Sequence, residues 1–466
     1  MEKLPEVTVI GAGLAGSEAA LQLALRGVPV CLVEMRPQTQ TAVHKTGEPA
    51  ELVCSNSLKG KDPDTAAGNL KYELGALGSQ LISCAWESEV AAGGALAVDR
   101  DVFSARVRSL IEKNPLVTVV HEQATEIPTG PAIIATGPLT SDALASALET
   151  ELGCESLAFY DAAAPIVEAD SLDYDVVFAQ SRYGKGGADY LNAPFDKEGY
   201  EAFIHELVGA RRVIERDFER RELFAACQPI EEVARTGLDA LSHGALKPVG
   251  LTDPATGHRP WAAVQLRAEN AQRTAYNLVG FQTNLRFGEQ ERVFRMIPGL
   301  ENAEFARFGV MHRNTFVDTP HVLTPTLALP KHPKVHLAGQ LTGTEGYLEA
   351  VASGLFVALA VYAELVGLAA PVLPRESLFG CLIAYATDPA TQDYQPMHVN
   401  YGIIDPIVPK IRNKRERKAA YGRRARAAID GFVQERADLF SCVRDRDSLE
   451  RPRAQSQRGL GLEAEP

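Results

Sequence analysis

The first forty residues constrain the fold more tightly than any other stretch of the chain. Val7-Thr8-Val9-Ile10 is a β-branched run, and Gly11-Ala12-Gly13-Leu14-Ala15-Gly16 follows it without a gap. Ser17 to Leu25 then places apolar helix formers at helical spacing, Gly27 closes the helix, and Val30-Cys31-Leu32-Val33 is a second apolar strand ending in Glu34. Strand, glycine turn, helix, strand and acid in this register make a dinucleotide-binding βαβ unit. Gly11 permits the tight turn, Gly13 lets backbone amides approach a pyrophosphate, and Gly16 allows close packing of helix on strand. The helix N-terminus attracts the phosphates, and Glu34 stands where a carboxylate would accept hydrogen bonds from an adenosine ribose.

Two later segments favour FAD over NAD. Pro131 to Ile134 is a strand running into Ala135-Thr136-Gly137, and Val335-His336-Leu337-Ala338 leads through Gly339, Gln340, Gly343 and Gly346 into a long helix that opens with Tyr347. An apolar strand that returns about 200 residues after the first sheet segment is how two-domain flavoproteins are wired. The expected class is α/β: a Rossmann-like, glutathione-reductase-type FAD-binding domain with an inserted α+β substrate domain and a helical C-terminal tail. Residues 1–158 and 321–373 would form the FAD-binding domain, 159–320 the insert and 374–440 the helical region, with 441–466 a disordered tail. Strand-like Val176 to Ala179 and a charged helix from Glu201 to Arg221 fall in the insert. The apolar stretch from Tyr347 to Leu373 is interrupted by Glu349, Ser353 and Glu364, so it reads as a buried helix rather than a membrane span.

Charge and cysteine usage narrow the partners. The formal charge of −13, spread evenly, would speak against nucleic acid. It is not even: between residues 410 and 426 nine side chains are basic and one is acidic, so that segment carries +8 and the remainder −21. Such a segment is either a solvated helix face or an RNA phosphate contact. The seven cysteines include no CxxC pair and are odd in number, which fits a reducing cytoplasm and no metal site. Two have telling surroundings. Cys54 precedes the turn-forming Ser55-Asn56-Ser57, whose amides can stabilise a thiolate. Cys227 precedes Gln228-Pro229-Ile230-Glu231-Glu232, with Pro229 at the start of a helix and two acids in its first turn, which would oppose thiolate formation.

These blocks, taken together, resemble the folate- and FAD-dependent tRNA (uracil-5-)-methyltransferases, the TrmFO family. The match is carried by Gly11 to Ala20, Glu34-Met35-Arg36-Pro37, Ala50 to Leu58 around Cys54, Asp189 to Pro194, Cys227 to Glu231, His312 to Phe316 and Gly339 to Tyr347. The Cys54 block discriminates best, because the glycine motifs are shared with the related wobble-uridine enzyme MnmG. The resemblance implies formation of 5-methyluridine at position 54 of the tRNA T loop. It also implies 5,10-methylenetetrahydrofolate as carbon donor, NADPH or NADH to reduce the FAD, and Cys54 and Cys227 as the working thiols. Uracil C5 becomes nucleophilic once a thiolate adds at C6, and a methylene carbon needs a hydride equivalent to become methyl. Cys227 is expected to add at C6. Cys54 is expected near the flavin, as proton acceptor or as a partner in the chemistry between flavin and the one-carbon unit.

Tyr347 reads as a ring stacked on flavin or folate, or as packing at a helix start. Asn192 and Asn314 read as contacts to uracil or pterin, or as turn caps; His312 and Arg313 could meet phosphate or folate glutamate. The partners expected are tRNA and the small cosubstrates, with no membrane and no stable protein partner, in the cytoplasm. Two rivals remain: an MnmG-like flavoprotein acting on the wobble uridine, and an FAD-containing tRNA-binding protein without turnover.

Overall fold

The computed structural model describes residues 4–440, apart from 42, 154–156, 185, 215–227 and 393; for 157–161, 312 and 313 it describes the backbone only. The expected tail, 441–466, lies outside the described residues. Strand β1 (Val7–Ile10) and strand β2 (Val30–Glu34) pair in parallel, Val7 opposite Val30 and Ile10 opposite Val33. Helix α1 (Leu14–Leu25) joins them. It begins inside the glycine motif, earlier than the helix formers from Ser17 suggest, because Gly13 takes the N-cap position with an extended backbone and no side-chain hydrogen bond. Gly27, at φ +78°, ends it in the left-handed conformation that glycine adopts without strain.

The sheet around this unit has six strands in the spatial order Ala328–Leu329, His332–Leu337, Ala132–Ile134, β1, β2, Val117–His121. Only the short Ala328–Leu329 edge runs antiparallel. The strand from late in the sequence thus pairs with Ala132–Ile134, which lies between it and β1. Behind the sheet, α1 packs on the helix Tyr347–Leu365 at very close range: a Cβ on Gly354 would come within 2.2 Å of the Ala15 carbonyl oxygen. This helix is long and apolar enough to cross a membrane, and 89% of its apolar window is buried inside the protein.

A second sheet, antiparallel, runs Phe178–Ala179, Tyr190–Phe195, Ala262–Ala268, Ala275–Leu278, Ile166–Glu168, Phe305–Arg307. The helix Lys197–Gly209, capped by the Asp196 side chain, buries Tyr200, Phe203, Ile204 and Leu207 at i, i+3, i+4 and i+7. These residues belong to an apolar core separate from the one beneath the parallel sheet. The expected strand shrinks to Phe178–Ala179, and the charged helix ends at Gly209; positions 215–221 of that expectation lie outside the described residues. Leu157–Ala162 and Met311–Phe316, the two passages of chain between the sheets, pair side by side.

Near the C-terminus, Asn413 caps the basic helix Lys414–Glu435, whose Tyr421, Ala425, Ile429 and Phe432 form the buried stripe. It lies along the helix Ala66–Ala76. Arg26 at the end of α1 donates from Nε to the Leu439 carbonyl, which fastens the last described turn to the first unit.

Candidate functional site

A cleft of roughly 1000 Å³, counted with its open mouth, runs over the carboxyl ends of β1 and Ala132–Ile134. That edge is where open α/β sheets bind ligands. Gly11, Gly13, Leu14, Ala15, Glu34, Thr136, Gly137, Gly339, Gln340 and Tyr347 line it. The other expected cofactor residues serve behind the wall. Ala12 donates its N–H to Glu34 Oε2 at 2.8 Å, and a Cβ on Gly16 would strike the Gly11 carbonyl at 1.8 Å. Gly343 and Gly346, at φ +73° and +113°, lie outside the lining. Gly343 packs on the Tyr394 ring, and Gly346 stands against Glu349 and Lys59.

The residues present fit a dinucleotide. Gly13 faces open space, with no atom within 4 Å of where a Cβ would stand, beside an α1 N-terminus that no side chain caps. Glu34 is buried, and burial alone would raise its pKa. The hydrogen bonds and charge of Arg36, with the Arg36 and Ala12 amides, outweigh that and hold the carboxyl below its ordinary range. Arg36 reaches it from Nε at 2.9 Å and from Nη2 at 3.2 Å.

Arg36 is more central than the sequence suggested. Besides Glu34 it pairs with Glu51 at 3.2 Å, and Glu51 accepts from the Lys45 and Thr46 amides, which shapes the loop over the cleft. His44 in that loop bonds Thr41 Oγ1 at 2.7 Å. Burial first and Arg36 second push its pKa down to about 4, so it is neutral at physiological pH.

The Cys54 turn is held from four sides. Its own amide and that of Ser55 donate to the Tyr347 hydroxyl at 2.7 and 3.1 Å. The Leu52 carbonyl accepts from Arg100, whose Nε is 2.5 Å from Glu269, the residue after the strand Ala262–Ala268. Asn56 donates to the Val98 and Ala268 carbonyls and accepts from Arg267 Nε at 2.7 Å. The thiol lies 3.8 Å from the Ala162 carbonyl. Arg100, Arg267 and Arg307 each stand close enough to Cys54 for its charge to act on them. Burial, then the charge of Cys54, drives the Tyr347 hydroxyl well above the ordinary phenol range, so it is a neutral anchor. Neither Arg100 nor Arg267 carries a local sequence signal; their partners are distant in the chain.

The remaining candidates separate. Cys227 lies outside the described residues, as do the side chains of His312 and Arg313. Beyond Cys227, Pro229 is the N-cap and not the first helical residue. Glu231 turns into the core to accept from Thr283 and Asn284, with burial raising it to about 7. Asn192 is buried with its amide engaged by Phe178, Gln180 and Gln265, a structural role. Asn314 is buried with neither amide atom partnered. Burial pushes the Cys84 and Cys381 thiols up to about 12 and about 11, which marks them as unreactive.

Comparison with known proteins adds the following. The family model for glucose inhibited division protein A matches residues 6–369. The chain is 52% identical over 421 residues to the methylenetetrahydrofolate–tRNA-(uracil-5-)-methyltransferase TrmFO of Moorella thermoacetica, covering 90% of this chain and 96% of that one. It is 50% identical over 429 residues to the protein of the same name from Shouchella clausii, covering 92% and 98%. Among solved structures, GidA of Aquifex aeolicus superposes with a TM-score of 0.68 at 16% identity, covering 94% of this chain and 77% of that one, a likeness of fold.

Proposed function

The chain belongs to the TrmFO family, and from that membership we propose that it is a methylenetetrahydrofolate–tRNA-(uracil-5-)-methyltransferase. Its product is 5-methyluridine, at position 54 of the T loop. The carbon comes from 5,10-methylenetetrahydrofolate, and NADPH or NADH supplies the two electrons by way of FAD. Bound FAD would supply the hydride equivalent that takes the carbon from methylene to methyl. The reaction calls for tRNA and folate as partners, with no protein subunit or membrane, and belongs in the cytoplasm.

The protein's own residues divide the rest. The Gly11–Gly16 turn and Glu34 bind and orient the dinucleotide. Tyr347 holds the Cys54 turn at the rim of the cleft, where the thiol can take a proton at Sγ or meet the one-carbon unit. Cys227 is the thiol for addition at uracil C6, which pushes electron density into the ring and makes C5 nucleophilic. Arg100, Arg267 and Arg307 provide a positive surrounding for an anion formed beside Cys54.

The observation that carries the reading is a cysteine turn built on the wall of a dinucleotide cleft, its amide bonded to a tyrosine that itself lines that cleft. Purified protein should be yellow. With unmodified tRNA, methylenetetrahydrofolate and NAD(P)H it should yield methylated T-loop uridine. A colourless protein that cannot take up FAD would sink the reading at its base. Modification of the wobble uridine would select the MnmG-like rival, and tRNA binding without turnover the other.

A further inference from the structure

Arg182 is a guanidinium without acceptors. Among the described residues its Nε and Nη2 have no hydrogen-bond partner and are shut off from solvent, while the residue as a whole is only partly buried. Asp189, an acid in the same loop, instead accepts at Oδ2 from the Gly93 amide at 2.7 Å. Burial lowers the pKa of Arg182, and the groups acting against that are Tyr183 and Tyr190. A charged donor whose closed-off nitrogens meet no acceptor among the described residues is destabilising.

The surroundings suit an outside oxyanion. Tyr183 at φ +59° and Gly184 at +63° both take left-handed conformations, as does Gly186 at +82°. The Tyr183 ring is 64% exposed, and the loop is braced where the Tyr183 amide donates to the Gly250 carbonyl. Tyr190, beside Arg182, is paired in register with Arg267, and Arg267 bonds Asn56, two residues from Cys54. Three side chains, Tyr190, Arg267 and Asn56, therefore lead from the loop to the turn that carries the candidate thiol.

We propose that Arg182 is an oxyanion-binding residue that takes up a backbone phosphate of the tRNA substrate, with the exposed Tyr183 ring beside it for an adjacent base. The inference rests on the tRNA reading above. A guanidinium accepts phosphate and carboxylate alike, so the glutamate tail of the folate is the other source of the same chemistry. The exposed aromatic favours RNA, since ring stacking on bases is a recurrent feature of such contacts.

The test compares Arg182→Met, which fills the space without donors, with wild type and Arg182→Lys. The free Arg182→Met protein should melt at or above the wild-type temperature with full flavin content. Its equilibrium affinity for an unmodified tRNA transcript should fall about tenfold, and the slope of log affinity against log salt should lessen by about 0.7–0.9, as expected when one phosphate fewer is neutralised. Arg182→Lys, which keeps the charge and loses the fork, should fall between. Unchanged tRNA affinity together with an unchanged KM for methylenetetrahydrofolate overturns the site, as does a marked drop in melting temperature of the free Arg182→Met protein. Unchanged tRNA affinity with a raised KM for polyglutamylated folate alone overturns the phosphate assignment in favour of the carboxylate. Binding is read without turnover, so a wild-type protein that binds tRNA but makes no 5-methyluridine refutes the methyltransferase reading and leaves this test standing.

Discussion

Gly13 shows how much one residue can decide. Nothing stands within 4 Å of its Cβ position, so Gly13→Val should fold, yet the added methyls would occupy the space a pyrophosphate needs. The expected outcome is a protein of near-normal melting temperature without flavin absorbance. Gly16 is the opposite case, because a Cβ there meets backbone and the chain itself would have to move. Among the described thiols, Cys54 is only partly buried while Cys84 and Cys381 are buried and shifted upward. Alkylation of the folded protein should therefore reach Cys54 before either of them, as peptide mapping would show. Trapping with tRNA that carries 5-fluorouridine separates the roles: an adduct is expected in Cys54→Ala and should be missing in Cys227→Ala. The reverse pattern would exchange the two assignments. The sequence marked Cys54 by its polar turn, but a turn does not reveal that Tyr347 closes it.

At the scale of elements, the helix Ala66–Ala76 is the hinge pin of the C-terminal half. Its Glu73 accepts from the Leu378 and Phe379 amides at the start of the helix Leu378–Thr387 and from Asn69, which in turn accepts from Arg426 of the basic helix. Burial dominates over these bonds and pushes the carboxyl up to about 8 from an ordinary 4.5. The folded protein thus keeps a proton that the unfolded chain releases. Stability from this group is complete below about pH 4.5 and is lost as pH rises to about 8. Glu73→Gln stays neutral, so between pH 5 and 8 its melting temperature should rise relative to wild type. Parallel melting temperatures at pH 5, 6.5 and 8 check this, and a constant gap would refute it. The insert's charged helix was expected from Glu201 to Arg221 and spans Lys197–Gly209, so its presence was legible and its bounds were not. The proton on Glu73 was not legible, because its partners lie some 300 residues away in the chain.

For the whole molecule, the net charge misleads and its distribution informs. Of the basic residues between 410 and 426, Arg417, Arg424 and Arg426 donate to the carbonyls of Ile411, Asp405 and Pro63, so they pin the helix as well as charge it. Lys414, Arg415 and Arg423 are exposed. Reversing those three should weaken tRNA binding and lower its salt slope by up to about 0.7–0.9 for each phosphate they neutralise in the wild type. Binding that does not change would make the segment a solvated helix face. Arg417 is unsuited to such a test, since its loss would also uncap the turn before the helix.

The sequence by itself determined the βαβ unit, the return of the chain to the same sheet and the buried apolar helix. All of these rest on period, turn geometry and steric size, which act over a few residues. Only the tertiary structure decided how the site is held. Tyr347 meets the Cys54 amide across 293 positions, and Arg100 meets Glu269 across 169. It also decided that Glu231 and Asn192 are structural and that Arg182 lacks acceptors. A hydrogen bond or a burial depends on which surfaces the two sheets bring together, and no local pattern in the chain encodes that.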